Sequence, residues 1–295
     1  MIWILGFLGI ACRGSDEAPE VWPARACTAP APAAGSVEET SREDDTLVMD
    51  DGVSLAVAAR RPKGVDCAGL VVEAPPGFEE GRSALDGEQA KTLAKAGLVV
   101  VAFDPRGRGD SEGEEDINGE RGQDDFAAVA RWAAGLDGVD ASSVVIYSRS
   151  IGGALASGAL SRHADLTPLA WVDFESPGWL EDDMDHTTEH THDRMWALAD
   201  ETDDPDAWFL ERSPASYIGD VVVPYHRLQG YPDHALNYMN AAAAMLGGAT
   251  ASPEVTLNGE PVTGPLSPDM IQEAAIAGGV EPLGEWAGEQ VLEAF

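Results

Sequence analysis

The chain has 295 residues, 44% of them hydrophobic, which excludes a disordered polypeptide and suffices for one large domain with a sizeable core. Its 52 acidic residues outnumber 18 Lys and Arg, for a net charge of −34. Such a surface repels phosphate backbones and anionic lipid, so nucleic acid is excluded as a partner. The acids are scattered rather than gathered in one tail, the pattern of a highly solvated surface that says little about substrate.

Ile2 to Ala11 form an apolar run too short to span a bilayer as a helix but suited to the core of a secretory signal. It ends in Leu8-Gly9-Ile10-Ala11-Cys12, which resembles a bacterial lipobox. In residues 1–12, the signal and lipobox segment, that resemblance implies cleavage before Cys12, a lipid on Cys12 as the first mature residue and only membrane attachment, and residence in the cell envelope. A plain signal peptide and secretion are the alternative. Export would bring Cys27 and Cys67 into an oxidising compartment, where a bridge between them is expected, against two unpaired thiols. Residues 13–45 hold a Pro-Ala-rich stretch and then an acidic polar run, neither with a period able to bury a face, and are expected to be a flexible tether.

From Thr46 onward the chain is expected to form one domain, residues 46–295. Thr46–Met49 and Val53–Ala59 flank Asp50-Asp51-Gly52, a hairpin signal. Ala68–Ala74 reads as a strand and Leu85–Ala96 as a helix closed by Gly97. Leu98–Phe103 (strand), Asp124–Ala134 (helix), Ser143–Tyr147 (strand) and Ile151–His163 (helix) follow. Leu166–Phe174 and Val221–Leu228 read as strands, Ala235–Leu246 as a helix and Glu254–Leu257 as a last short strand. This alternation predicts an α/β fold with a doubly wound, mostly parallel sheet. Residues 176–214, rich in charge and Trp, break the rhythm and are expected to form an inserted helical cap.

Chemistry concentrates at Val144-Val145-Ile146-Tyr147-Ser148-Arg149-Ser150-Ile151-Gly152-Gly153. A β-branched strand, small residues two before and two after Ser150, and an Ala/Gly-rich helix are what a nucleophile elbow requires. The helix directs its first N–H groups and its positive dipole end at the serine, and the Ile151 N–H is placed to donate to an oxyanion.

With these residues the chain resembles the α/β-hydrolase superfamily, near its serine-aminopeptidase and dienelactone-hydrolase-like branches. Phe103-Asp104-Pro105-Arg106-Gly107-Arg108-Gly109-Asp110-Ser111-Glu112-Gly113 is similar to the loop those branches carry after the fourth strand. Pro76-Gly77-Phe78 falls at their oxyanion turn, with Pro76 in place of His, so Phe78 would supply the second backbone donor. Val223-Pro224 and Leu228-Gln229-Gly230-Tyr231-Pro232-Asp233 match the strand and turn that bear the triad acid, which makes Asp233 the candidate acid. Asp104 is expected to fix its loop by pairing with Arg106.

The resemblance implies a triad histidine after the last strand, but Asn258-Gly259-Glu260-Pro261 stands there and no histidine follows His234. A serine hydroxyl needs a proton acceptor to become an effective nucleophile. His234 is the first candidate, a cap histidine (His186, His190 or His192) the second, and Glu260 a poor substitute. His186-Thr187-Thr188-Glu189-His190 also matches a short zinc-binding pattern, against the alternative of an acid-paired solvated face. No metal and no cofactor are expected. Trp179, Trp196 and Trp208 either line an acyl pocket or pack the cap. The expected function is cleavage of an ester or amide, in a small-molecule or peptide substrate, through a Ser150 acyl-enzyme. The alternative is a catalytically silent binding protein on the same fold.

Overall fold

A computed structural model of the chain describes residues 21–78, 81–184, 189–229, 245, 248–249, 254–257, 260–262, 291–292 and 294–295. Its strands are β1 (Thr40–Val48), β2 (Ser54–Pro62), β3 (Ala68–Ala74), β4 (Val99–Phe103), β5 (Val139–Arg149), β6 (Ala170–Phe174), β7 (Tyr225–Gln229), β8 (Glu254–Leu257) and β9 (Glu260–Val262). The helices are α1 (Glu88–Lys95), α2 (Glu120–Ala134), α3 (Gly152–Arg162), α4 (Leu180–Met184), α5 (Glu189–Asp200) and α6 (Pro205–Glu211).

The strands form one sheet in the order β1-β2-β4-β3-β5-β6-β7-β8-β9. From β4 to β8 every neighbouring pair is parallel, and antiparallel strands close both edges. The doubly wound, mostly parallel sheet expected from the strand–helix alternation is thus present. β3, β4 and β6 are buried along their whole length, the pattern of strands covered on both faces. Alternation divides them: Leu70, Val72 and Ala74 pack with Phe126, Val129 and Leu155 of α2 and α3. Val71 turns the other way, into a cluster with Leu93 of α1 and Val291.

Several boundaries differ from the sequence reading, each for a local reason. The expected hairpin forms, but β1 begins at Thr40, inside the supposed tether, and pairs Thr40 with Pro62 as an outer strand. Its charged residues are an edge strand's exposed row rather than loop polarity. Upstream of it the chain is fastened as well. The Trp22 indole donates to the Ala141 carbonyl, and Asp140 accepts from Arg25 and the Ala29 amide. Cys27 is bridged to Cys67, with a Cα–Cα distance of 6.0 Å. Within the described residues, therefore, 21–39 are not a free tether. The helix expected over Leu85–Ala96 divides into a 3-10 turn at Arg82–Asp86 and α1, with extended Gly87 at the junction. β7 starts only at Tyr225, since Pro224 has no amide to give the ladder. β9 is an edge strand the sequence did not suggest. The helix expected at Ala235–Leu246 and the lipobox with Cys12 fall mostly or wholly outside the described residues.

The cap is present between β6 and β7 as α4, α5 and α6. Leu180, Met184, Met195, Trp208 and Phe209 close over Ile117 and Ile151 as a third apolar cluster, with Phe78 and Trp196 at its margin. Trp196 and Trp208 thus pack the cap, each against Phe209, while Trp179 is largely exposed.

Candidate active site

Ser150 stands where β5 turns into α3, half-buried, with φ of +52°. The left-handed region costs an L-residue of this kind about 1–3 kcal/mol, and such strain persists only where surroundings enforce it. Here the Ser150 amide donates to the Phe174 carbonyl at 2.9 Å, extending the β5–β6 pairing, and its carbonyl takes the Gly153 amide at 3.0 Å. The turn also demands small neighbours. A Cβ on Gly152 would lie 2.3 Å from the Ala74 carbonyl oxygen, and one on Gly153 would lie 2.2 Å from Ser176 Oγ. Ser148, two residues before Ser150, is fully buried. Its hydroxyl donates to Asp173 at 2.9 Å and accepts from the Trp171 indole at 2.8 Å. Asp173 also accepts from Ser176, from Tyr225 at 2.8 Å and from Arg227 at 2.8 Å, so a buried polar knot underlies the elbow.

The two expected oxyanion donors lie on separate elements, and a buried brace joins those elements. Arg108 donates to the Gly77 carbonyl at 2.7 Å and to Asn118 Oδ1 at 3.0 Å. Asn118 Nδ2 donates in turn to the Ile151 carbonyl at 2.9 Å. The turn carrying Phe78 is thereby coupled to the start of α3, whose first amides have no intrahelical acceptor. Arg108 is anchored to Glu115 at 2.5 Å, and burial lowers its pKa despite that partner. Phe78 is held by two cations: the Arg194 guanidinium lies 4.3 Å from its ring centre and that of Arg108 5.8 Å.

The loop after β4 is built differently from expectation. Asp104 does not pair with Arg106. It accepts from the Arg82 side chain and amide at 2.8 and 2.9 Å, and from the Asp110 amide. Arg106 instead forms a two-pronged pair with Asp125, both contacts 2.8 Å, and reaches Asp51 at 2.7 Å. The role expected of Asp104 stands with a different partner, 22 residues upstream.

Comparison with known proteins agrees with this geometry. The family model for the X-Pro dipeptidyl-peptidase (S15 family) matches residues 51–173, from the hairpin turn through the elbow into β6. Among solved structures, an acetyl xylan esterase from Paenibacillus sp. R4 superposes with a TM-score of 0.62 at 16% identity, covering 87% of this chain and 84% of its own. The chain is an α/β-hydrolase by fold. An α/β hydrolase from Penicillium sp. sh18 matches at 0.59 and 13% identity, over 74% of this chain and 89% of that one. Puromycin hydrolase matches at 0.61 and 17% identity over 86% of this chain, which corresponds to only 40% of the larger protein. Curated proteins give no match. The solved structures share the fold of this chain, and the family match spans under half of its length.

Of the other expected site residues, Asp233, His234, His186 and Asn258 lie outside the described residues. Glu260 opens β9, its backbone paired with Leu257. Among the described residues no imidazole hydrogen-bonds the Ser150 hydroxyl. His192 contacts Asp193 at 3.0 Å, and His163 contacts Asp124 at 2.8 Å. His190 lines a cleft of about 570 Å³ beside the elbow, together with Pro76, Gly77, Phe78, Arg149 and Arg194. Sequence reading missed the Arg108–Asn118 brace and also Glu175. That carboxylate is buried one residue beyond the carbonyl that receives the Ser150 amide, with φ of +52° and its own amide bonded to Leu228. An Asn just before a helix was the one available signal for Asn118, since Asn tolerates the left-handed region better than most residues.

Proposed function

We propose that this α/β-hydrolase cleaves an ester or amide through a Ser150 acyl-enzyme. The observation that carries the proposal is the strained elbow. Ser150 is held at positive φ at the mouth of α3, with the Ile151 and Phe78 turns braced to each other as oxyanion donors. Attack by the Ser150 hydroxyl on the carbonyl places negative charge on its oxygen, which preorganised backbone N–H groups stabilise. The matched S15 family and the esterase and puromycin-hydrolase neighbours support a small-molecule or peptide substrate. Chain order assigns Asp233 as orienting acid and His234 as base. Labelling with a fluorophosphonate tests the reading: wild type should react and Ser150→Ala should not. His234→Ala should slow labelling by about 10²–10⁴-fold, the usual worth of a general base. Equal labelling of wild type and Ser150→Ala would refute Ser150. An unlabelled wild type would instead favour the silent binding protein.

The Leu8–Cys12 segment supports export with a lipid on Cys12. Loss of envelope-membrane partition in Cys12→Ala is the expected result, and unchanged partition would exclude the anchor.

A further inference from the structure

We propose that the cleft beside Ser150 is an anion subsite that selects esters or amides bearing a carboxylate near the scissile bond. The proposal rests on the hydrolase reading of Ser150. Its first support is the charge of the lining. Arg149, Arg194 and His190 face a space of about 570 Å³, and no carboxylate lines it among the described residues. On a chain where acids outnumber bases 52 to 18, such a concentration runs against composition.

A second cleft, of about 490 Å³, shows the usual arrangement in this molecule. There Asp50, Asp51, Asp124 and Asp125 accompany Arg106, Arg121 and Arg131. Arg106 is taken by Asp125 and Asp51, and Arg131 by Asp165, so those cations are answered in place. In the cleft beside the elbow the count is different. Glu115 meets Arg194 at 3.0 Å but also serves buried Arg108 at 2.5 Å, so one carboxylate answers two guanidiniums. Arg149 is exposed and makes no ion pair or hydrogen bond among the described residues. Its opposing charge is Glu73, buried in β3, whose carboxyl burial pushes up to about 7 and so leaves partly uncharged near neutrality.

Position supplies the second support. Arg149, the residue before Ser150, lines the cleft together with Gly77 and Phe78 of the second oxyanion turn, so the cleft adjoins both elements. His190 and Arg194 are four apart on α5 and face it together. Arg194 lies over the Phe78 ring, which sets its guanidinium at the rim. A planar guanidinium matches a carboxylate in a two-pronged contact, which favours that anion. In the reaction Ser150 would attack the carbonyl, the alcohol or amine would leave with a proton, and water would release the acyl group, the second carboxylate staying in the cleft.

The test compares p-nitrophenyl hemiglutarate with p-nitrophenyl pentanoate, a neutral ester of the same acyl length. Wild type should show the higher kcat/KM for the hemiglutarate despite its net negative charge, with a ratio that falls as NaCl is added. Arg149→Gln should lower that ratio by about tenfold, and Arg149→Glu further. Arg194→Gln should lower it too. Arg149 is exposed, so its two variants should melt with wild type. A ratio unchanged in all three variants would overturn the subsite while leaving the hydrolase reading intact. If wild type cleaves neither ester and Ser150 takes no fluorophosphonate, the hydrolase reading fails. The subsite is then judged by calorimetric titration of glutarate: binding lost in Arg149→Glu supports it, and absent or equal binding overturns it.

Discussion

Ile117 and Asn118 occupy the left-handed region in succession, at φ of +54° and +63°, without a glycine between them. Each costs about 1–3 kcal/mol, and Asn118 recovers part of that through fully buried bonds to Arg108 and to the Ile151 carbonyl. The strain therefore fixes where the first turn of α3 sits relative to the Phe78 turn. Asn118→Asp keeps the side chain's size, its tolerance of positive φ and its acceptor for Arg108. It removes the donor to Ile151 and sets a carboxylate oxygen against that carbonyl. A positioning role predicts that kcat falls about tenfold or more in this variant while KM changes less, since alignment of oxyanion donors matters in the transition state. Asn118→Ala, which also leaves Arg108 short of an acceptor, should in addition lose about 1–3 kcal/mol of stability by urea melt. Equal losses in kcat and stability for both variants, or a KM effect alone, would reduce Asn118 to a structural residue.

At the scale of the strand, β3 carries a carboxyl in an otherwise apolar row. Glu73 is buried and burial pushes it to about 7, with Arg149 pulling the other way. The unfolded chain binds that proton only below about 4.3. Between those values the folded state holds more protons, so the sign of linkage is negative. The contribution is fully present below the unfolded value and is lost as pH rises through about 7. Over the window from pH 5 to pH 8 the wild type should lose about 3 kcal/mol relative to Glu73→Gln, read by urea unfolding of both proteins. Parallel profiles would show that Glu73 is solvated. The same strands show which features were legible in the sequence. β3, β4 and the core of β5 are runs of apolar residues between helices, and the elbow is a local pattern within four residues of Ser150, so both were readable. β1 was displaced because Thr40–Asp45 is polar, and polarity reads as loop whether it belongs to a linker or an edge strand. The partners of Asp104 and Arg106 were unreadable for another reason. Arg82 and Asp125 are brought to them by the turn after β3 and by α2, and adjacency in the sequence suggested the wrong pair.

Across the whole molecule the charges cannot all be matched. With 52 acids and 18 Lys and Arg, full pairing of every base would still leave a net charge of −34 spread over one domain. Several arginines are committed to carboxylates near the core, as Arg106 is to Asp125 and Asp51 and Arg131 to Asp165. The pairs most open to solvent, Lys63 with Glu39 and Lys91 with Glu88, contribute little to stability. Two opposite salt effects follow. Added salt screens those few exposed attractions, which destabilises, and screens the repulsion among the unmatched carboxylates, which stabilises. The second set is far larger and acts over longer distances, where screening is strongest: the Debye length falls from about 30 Å to about 3 Å between 0.01 M and 1 M salt. Tm at pH 7.5 should therefore rise with NaCl over that range, by about 2–4 °C for each kcal/mol of repulsion relieved in a domain of this size. Near pH 4, where carboxylates approach their unperturbed pKa and the net charge collapses, the same salt series should have little effect. A Tm that falls with NaCl at pH 7.5 would mean that the exposed pairs, not the unmatched acids, dominate the surface energy. A rise of equal size at both pH values would assign the effect to salting-out of apolar surface instead.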